Sequence, residues 1–299
     1  MLKTIDDIFT VAKGKASPKR LVLCNAADPH ALEAILRASE MGLVVPILTG
    51  CRDEIKRTAD VLGMSIEGAE IVPTADIDDT IKTAVSLISS GRGDVLMKGG
   101  VTTPQIMKGV LNREWGLRTD RMISHLAIFQ IPAYHKLLVL TDAAMNIAPS
   151  LEEKAVIIQN TVDFMHKLGM DCPKVAALAA IEQVNPKMPA TVEADALKQM
   201  NREGKITGCT VDGPLSFDLA VSEESKHQKH FDSPVAGDAD ILLAPDIEAG
   251  NLLYKSFAFF TESRMGAVIL GAAAPIVLTS RADSMDAKLS SIALAVAGA

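Results

Sequence analysis

Short runs of valine, isoleucine and leucine alternate along this chain with helical patterns of roughly ten to nineteen residues. Helices cover a parallel strand on both faces, so its sequence is continuously apolar rather than alternating. We therefore predict an α/β fold. Eight such runs are expected to form strands, at residues 21–24, 44–48, 94–97, 137–140, 175–179, 240–244, 268–270 and 276–279.

Three of the intervening helices carry end signals. Asp28 and Pro29 suit the N-cap and first turn of a helix that ends before Gly42, with an apolar inner face. Ser150 and Glu153 form a capping-box pattern that opens a helix running to about residue 168. The last helix is expected over 285–296, capped by residue 283 or 284, with Met285, Leu289, Ile292 and Val296 on its buried face.

Composition excludes several classes of protein. The 299 residues are 48% apolar and 22% charged, with a net charge of −7, which is a globular composition and disfavours nucleic acid as the main partner. Apolar runs fall short of the roughly 20 residues of a membrane helix, and Asp6 and Asp7 interrupt the N-terminus where a secretory signal would be apolar. A cytoplasmic protein without membrane contact is therefore expected.

The metal-ligating residue types are scattered. The four cysteines are widely spaced without a CxxC pair, which favours reduced thiols over a zinc ribbon. The polar stretch 223–238 is interpreted as a surface excursion, and its His227 and His230 lie near Glu224 and Asp232 without metal-ligand spacing. No metal site is predicted.

Ligands of parallel α/β sheets bind where strands end and helices begin. At residues 276–284 an apolar strand leads through Thr279, Ser280 and Arg281 into the last helix. Two hydroxyls, a permanent positive charge and a helix N-terminus together suit an anion. The structural alternative is a helix cap with a surface arginine.

A second strand end, at residues 94–109, combines two glycines with basic and hydroxyl side chains. The glycines permit close approach of a ligand to the backbone, although a tight turn would explain them equally. The sequence lacks the GxxxxGK[ST] pattern of a Walker A loop. The candidate ligand-binding residues are Lys98, Gly99, Gly100, Thr102, Thr103 and Lys108.

Two further strand ends carry polar residues. Asp142 and Asn146 lie between a strand and the capped helix, where turn chemistry is an adequate explanation. Asp246, Glu248 and Asn251 follow another strand, where carboxylates can act as bases, bind a metal or cap a helix.

The order of six segments resembles the phosphate acetyltransferase and phosphate butyryltransferase family, most closely its butyryltransferase branch. They are DVLMKGGVTT, TDAAMNIAPSLEEK, VNPKMPATVEA, VDGPLSFDLAVS, GDADILLAPDIEAGNLLYK and PIVLTSRADS. The resemblance implies reversible transfer of a short-chain acyl group between coenzyme A and inorganic phosphate, giving acyl phosphate. Coenzyme A is then a substrate, and no permanent cofactor, metal or covalent acyl-enzyme is expected.

The resemblance also implies a two-domain α/β/α architecture like that of isocitrate and isopropylmalate dehydrogenases, with the active cleft between the domains, in a homo-oligomer. We expect one domain from residues 1–123 plus 277–299 and the other from 124–276. The family's Ser-Arg pair corresponds to Ser280 and Arg281, which would act on the thioester and hold phosphate. Lys98, Gly99, Gly100, Thr102, Thr103, Lys108, Ser124 and Asn251 would bind the substrates.

The sequence departs from the acetyltransferase pattern at two positions. Ala287 stands where the acetyltransferases have a catalytic aspartate, leaving Asp283 and Asp286 as candidate bases, and Phe259 stands where they have an arginine. We hypothesise that Phe259 and Met265 enlarge an apolar acyl pocket, which favours butyryl or branched groups over acetyl.

Four alternatives stay open at this point. The first is an acetyl-specific enzyme of the same family, and the second is a catalytically silent regulator that binds coenzyme A or phosphate. A metal- and nicotinamide-dependent dehydrogenase would share the fold, but no GxGxxG follows a strand. An enzyme that uses acyl carrier protein would need a basic docking face, which the acidic composition disfavours.

Overall fold

The computed structural model describes residues 2–280 and 282–299. Within these residues, strands and helices alternate as the sequence predicts. The strands are β1 (Lys19–Cys24), β2 (Val44–Gly50), β3 (Glu70–Pro73), β4 (Val95–Lys98), β5 (Ser124–Gln130), β6 (Leu138–Thr141), β7 (Lys174–Leu178), β8 (Thr210–Leu215), β9 (Ile241–Leu243), β10 (Arg264–Leu270) and β11 (Ile276–Val277). The helices are α1 (Ile5–Lys13), α2 (Pro29–Glu40), α3 (Arg52–Leu62), α4 (Ile77–Ser89), α5 (Thr103–Val110), α6 (Leu151–Lys167), α7 (Pro189–Arg202), α8 (Phe217–Val221), α9 (Glu223–Gln228), α10 (Ile247–Phe260) and α11 (Met285–Gly298).

The chain divides into two compact units. The terminal unit comprises residues 6–121 and 266–299, and the central unit comprises residues 2–5 and 122–265. In the terminal unit the strand order is β3-β2-β1-β4-β11-β10, with β10 antiparallel to β11 and the other pairs parallel. In the central unit the order is β5-β6-β9-β7-β8, with β5 antiparallel to β6 and the other pairs parallel.

The predicted strands are confirmed where they are continuously apolar. Leu21, Val22 and Leu23 of β1 are fully buried, as a strand covered on both faces requires. Three strands, β3, β5 and β8, were not predicted. The edge strand β3 has exposed ends at Glu70 and Pro73, and β8 contains a Gly-Pro pair in its interior, so both sequences are typical of turns rather than strands.

The helix-end predictions are also confirmed. The Asp28 carboxylate accepts a hydrogen bond from the Ala31 amide over 3.0 Å, and Gly42 follows α2 with a φ of +73°. The capping box of Ser150 and Glu153 is present at the start of α6. Ser284 caps α11, but the prediction that α11 buries one face is wrong, because every residue from Ser290 to Gly298 is buried.

Two other predictions concern polar and thiol groups. The stretch 223–238, interpreted as a surface excursion, begins with the short helix α9, none of whose residues is buried. Its later part is not all at the surface, because Ser233, Val235 and Ala236 are buried. Cys24 is buried in the core, where desolvation raises the pKa of its thiol to about 12, so it is not a nucleophile.

None of the helices in the described ranges combines the length and apolar character needed to span a bilayer.

Candidate active site

The turn between β11 and α11 positions Ser280. The Ser280 amide donates a hydrogen bond of 2.7 Å to Oδ2 of Asp283, and the Ser280 hydroxyl oxygen accepts one from the Ala282 amide over 3.2 Å. Ser284 then caps α11 by accepting a hydrogen bond from the Ala287 amide. Asp283 therefore holds the turn closed. The predicted phosphate ligand Arg281 lies outside the described residues.

The glycine pair after β4 is held against the end of β1. The Gly99 amide donates to the Cys24 carbonyl oxygen over 2.9 Å, and the Gly100 amide donates to the Asn25 carbonyl oxygen over 2.8 Å. A Cβ atom on Gly99 would lie 2.4 Å from the Asn25 carbonyl oxygen, so no larger residue fits without moving the backbone. This close packing fixes the path of the chain beyond Lys98.

Asn25 belongs to this arrangement, and sequence reasoning missed it. Its φ is +56°, a conformation that asparagine tolerates better than most residues. Its side-chain amide donates a hydrogen bond of 3.0 Å to the Gly100 carbonyl oxygen. The signal available in the sequence was an asparagine that directly follows a buried strand and lies three residues before a helix cap.

A pocket of about 450 Å³ in the terminal unit collects five of the predicted ligand-binding and catalytic residues. Lys98 Nζ lies 3.4 Å from the Val101 carbonyl oxygen, at the end of β4. Thr102 caps α5 through a capping box with Gln105, so the N-terminus of α5 faces the same region. The predicted residues that line this pocket are Lys98, Gly100, Thr102, Thr103 and Ser280, and Thr279 joins them.

This pocket has the electrostatic character of an anion site. A helix N-terminus carries a partial positive charge and unpaired amide groups, which suit an anion. The lysine adds a full charge, and the hydroxyls of Thr103, Thr279 and Ser280 add hydrogen-bond donors. The Thr102 hydroxyl donates to Oε1 of Gln105 over 2.7 Å instead.

A smaller pocket of about 10 Å³ shares Lys98, Thr279 and Ser280 with the larger one. Lys288 lines it, although the sequence analysis did not select this residue. Its ammonium group is buried and donates a hydrogen bond to the Asp283 backbone carbonyl oxygen. The signal available in the sequence was a lysine near the N-terminus of a helix. Lysine is favoured at helix C-termini, so its presence at the other end is unusual.

Several predicted residues lie elsewhere. Lys108 is exposed in the last turn of α5 and does not line either of these pockets. Asp286 is exposed in the first turn of α11. In the central unit, the buried Ser124 hydroxyl accepts a hydrogen bond from the Asn160 amide over 3.0 Å, and Asn251 donates to the Ala143 carbonyl oxygen over 3.1 Å.

The loop after β6 in the central unit is organised by one carboxylate. Asp142 accepts hydrogen bonds from the backbone amides of Ala144 and Met145, both over 2.9 Å, and from the Asn146 side chain over 2.6 Å. It also accepts from the His125 amide over 3.1 Å. Burial lowers the pKa of the His125 imidazole, and the Asp142 charge opposes that effect only in part.

An apolar pocket of about 520 Å³ also lies in the central unit, where β7 and β9 end. Neither Phe259 nor Met265, which the sequence hypothesis assigned to an acyl pocket, lines it. Phe259 is 76% exposed on α10. The residues that line this pocket include Leu178, Met188, Phe217, Pro245, Leu252 and Leu253.

Comparison with known proteins shows the family to which the chain is similar. Residues 74–296 match the family model described as "Phosphate acetyl/butaryl transferase". The chain is 44% identical over 295 residues to the phosphate butyryltransferase of Clostridium acetobutylicum, covering 99% of this chain and 98% of the relative. It is 49% identical to a probable phosphate butyryltransferase of Bacillus subtilis, covering 95% of each.

A solved structure extends the similarity to the fold. The crystal structure of a branched-chain phosphotransacylase from Enterococcus faecalis superposes with a TM-score of 0.84 and 34% identity, covering 93% of this chain and 98% of that one. Similarity of this extent and identity, over nearly the full length, shows common family membership. The chain belongs to the phosphate acetyl/butyryl transferase family and is a phosphate acyltransferase.

Proposed function

We propose that this acyltransferase moves a butyryl or branched short-chain acyl group reversibly between coenzyme A and inorganic phosphate, with both substrates bound at once. The observation that carries the proposal is the pocket in which Lys98, Ser280 and the N-terminus of α5 converge. The preference over acetyl is supported by two relatives named for butyryl transfer, and by a branched-chain phosphotransacylase of similar fold.

In this proposal the pocket binds inorganic phosphate. Arg281 supplies two parallel charge-assisted hydrogen bonds, and Lys98 and the α5 N-terminus add positive charge. Holding phosphate beside the thioester replaces a collision of two molecules with a reaction inside one complex. The phosphate oxygen then attacks the thioester carbon.

Ser280 acts at the carbonyl group or at sulfur. Its oxygen accepts the Ala282 amide hydrogen bond, which leaves its own hydrogen to donate. The attack produces a tetrahedral intermediate whose oxyanion is stabilised by such donors. The carbon–sulfur bond then breaks, and coenzyme A leaves as a thiolate that takes up a proton. In reverse the thiolate attacks the acyl phosphate, and phosphate leaves.

We extend the proposal to cofactors and assembly. Coenzyme A is a substrate, and the residues that meet the phosphate charge make a permanent cofactor or metal unnecessary.

The proposal also includes a homo-oligomer. Helix α10 supports it, because Leu252 and Phe260 are 70% and 89% exposed, and exposed apolar patches commonly mark protein contacts. Light scattering on the purified chain measures its mass in solution.

The central test is release of free thiol from acetyl-, propionyl-, butyryl- and isobutyryl-coenzyme A, each with and without inorganic phosphate. We expect release that requires phosphate and has its highest kcat/KM with the four-carbon donors. A maximum at acetyl would refute the chain-length assignment. Binding of coenzyme A without release from any donor would refute turnover and favour a silent binding protein.

A further inference from the structure

Lys288 differs from the other buried lysines of the described chain. Lys136 lies 2.8 Å from an Asp238 carboxylate oxygen, and Lys154 is paired with Glu193. Lys288 is only 3% exposed, yet within the described residues its ammonium bonds to a backbone carbonyl oxygen and no carboxylate lies within ion-pair distance. A buried charge is costly unless an opposite charge compensates it.

The position of Lys288 in α11 makes this cost larger. It is the fourth residue of the helix, and helical side chains lean toward the N-terminus. Its ammonium therefore lies at the positive end of the helix, where the helix dipole disfavours a cation and favours an anion. Lys98 brings a second cation to the same small pocket. The pocket thus concentrates positive charge.

The small pocket is open to a ligand atom. Lysine has three N–H donors, and Lys288 uses one of them on the Asp283 carbonyl oxygen. The pocket volume of about 10 Å³ is close to that of a single water-sized group. An acyl chain or a pantetheine arm does not fit there, whereas one oxygen atom of a larger anion does. Ser280 borders both this pocket and the larger one.

The Asp28 carboxylate also lines the small pocket, but it has another partner. It accepts a hydrogen bond from the Ala31 amide and caps α2. In the described chain it forms no ion pair with Lys288. The lining of the small pocket therefore carries two lysines and one carboxylate, and this net positive charge favours a bound anion.

We propose that Lys288 binds an anionic oxygen of inorganic phosphate, or of acyl phosphate in the reverse reaction, in the small pocket that Ser280 also lines. The inference rests on the proposed function and adds a phosphate-binding residue to it. It also gives the site a further positive charge directly after Ala287 in the sequence, where the acetyltransferase pattern has a carboxylate.

The test uses Lys288→Met, which keeps the aliphatic stem and removes the charge, and Lys288→Gln, which keeps a donor. In the direction of thiol release, we expect the KM for inorganic phosphate to rise at least tenfold in both variants. The KM for butyryl-coenzyme A should stay within twofold. Lys288→Arg should recover part of the phosphate affinity because it restores the charge.

Two further measurements separate binding from folding. Inorganic phosphate should raise the thermal unfolding midpoint of the wild type and raise that of Lys288→Met much less. Lys154→Met is the matched control, because it removes a buried lysine that is paired with Glu193. It should lower the unfolding midpoint and leave the phosphate KM unchanged.

An unchanged phosphate KM in folded Lys288→Met and Lys288→Gln would overturn the inference. So would a rise confined to the KM for butyryl-coenzyme A, which would assign the charge to coenzyme A instead, or a fall in kcat with both KM values unchanged. If the wild type releases no thiol with phosphate, the proposed function fails, and the phosphate-dependent unfolding shift still tests Lys288.

Discussion

The side-chain amide of Asn25 donates a hydrogen bond of 3.0 Å to the carbonyl oxygen of Gly100, which joins the ends of β1 and β4. These strands are parallel neighbours, with Cys24 opposite Lys98. The bond therefore fixes the glycine loop relative to the strand end that carries Lys98. The geometry of the pocket proposed to bind phosphate therefore depends on a residue that does not line it.

Replacing Asn25 tests this dependence. Asn25→Ala removes the hydrogen bond and puts alanine, which tolerates the left-handed region less well than asparagine, at a φ of +56°, so we expect the free energy of unfolding to fall by about 2–3 kcal/mol. Asn25→Gly tolerates the φ and loses only the hydrogen bond, so its loss should be near 1 kcal/mol. Denaturant unfolding measures both. Equal losses in the two variants would show that backbone strain contributes nothing.

Asp283 is expected to position Ser280 rather than to take a proton. Its carboxylate accepts the Ser280 amide at 2.7 Å, and an asparagine oxygen can accept the same bond. Asp283→Ala should lower kcat by roughly 10–100-fold, the worth of one charged hydrogen bond, and Asp283→Asn by much less.

The pH profiles of these variants distinguish the two roles. If Asp283→Asn loses as much activity as Asp283→Ala, and the acidic limb of its profile disappears, Asp283 is the general base. Asp286→Asn, measured alongside, tests the other candidate. Loss of the acidic limb in that variant alone would assign the base to Asp286.

Sequence reasoning succeeded where local pattern decides the structure. The strand at β1 and the cap of α2 were predictable, because burial on both faces and the Asp28-Pro29 pair each leave a local signature. The strand β8 was not, since Gly213 and Pro214 lie inside it and its pairing with β7 overrides their turn preference.

The residues of the candidate site also differ in how far local sequence pattern predicts them. Lys98, Thr102 and Ser280 follow strand ends, so the carboxyl-end rule of parallel sheets was enough to select them. Asn25 contacts a residue distant in sequence, and Lys288 is buried by the fold, so neither was selected from local pattern. Asn25 reaches Gly100, 75 positions away, and no local pattern encodes that distance.

Arg281 is expected to carry the largest share of phosphate binding and charge stabilisation. Arg281→Ala should lower kcat/KM for phosphate by roughly 10²–10³-fold, the usual effect of removing one donor from a transition-state charge. Arg281→Lys keeps the charge but loses the paired donors, and it should fall between the wild type and Arg281→Ala. Turnover of Arg281→Ala near the wild-type rate would exclude this role.

Metal removal should leave the reaction intact. The phosphate charge is met in the proposal by Lys98, Arg281 and helix N-termini, so no divalent cation has a task there. Over the described ranges, no three His, Cys, Asp or Glu side chains are grouped to hold a metal ion. Thiol release should be unchanged after dialysis against EDTA. Loss of activity that Mg²⁺ restores would contradict this prediction and show that a divalent cation takes part in the transfer.

His125 gives the central unit a pH-dependent stability. Burial lowers the pKa of its imidazole below the ordinary 6.5, so the folded state holds it neutral. Below pH 6.5 the unfolded chain binds a proton there that the folded chain does not, so acidification favours unfolding. The contribution is complete above that pH and is lost as the pH falls toward the folded-state value.

Chemical unfolding from pH 7.5 to pH 5 measures this dependence. His125→Leu removes the titrating group from its place beside Tyr254, whose ring centroid lies 5.8 Å from that of His125. Its unfolding free energy should fall less steeply with acidification than that of the wild type. His166→Leu is a matched control, because it removes a histidine that is not buried. Identical slopes in wild type and His125→Leu would show that another group governs the acid sensitivity.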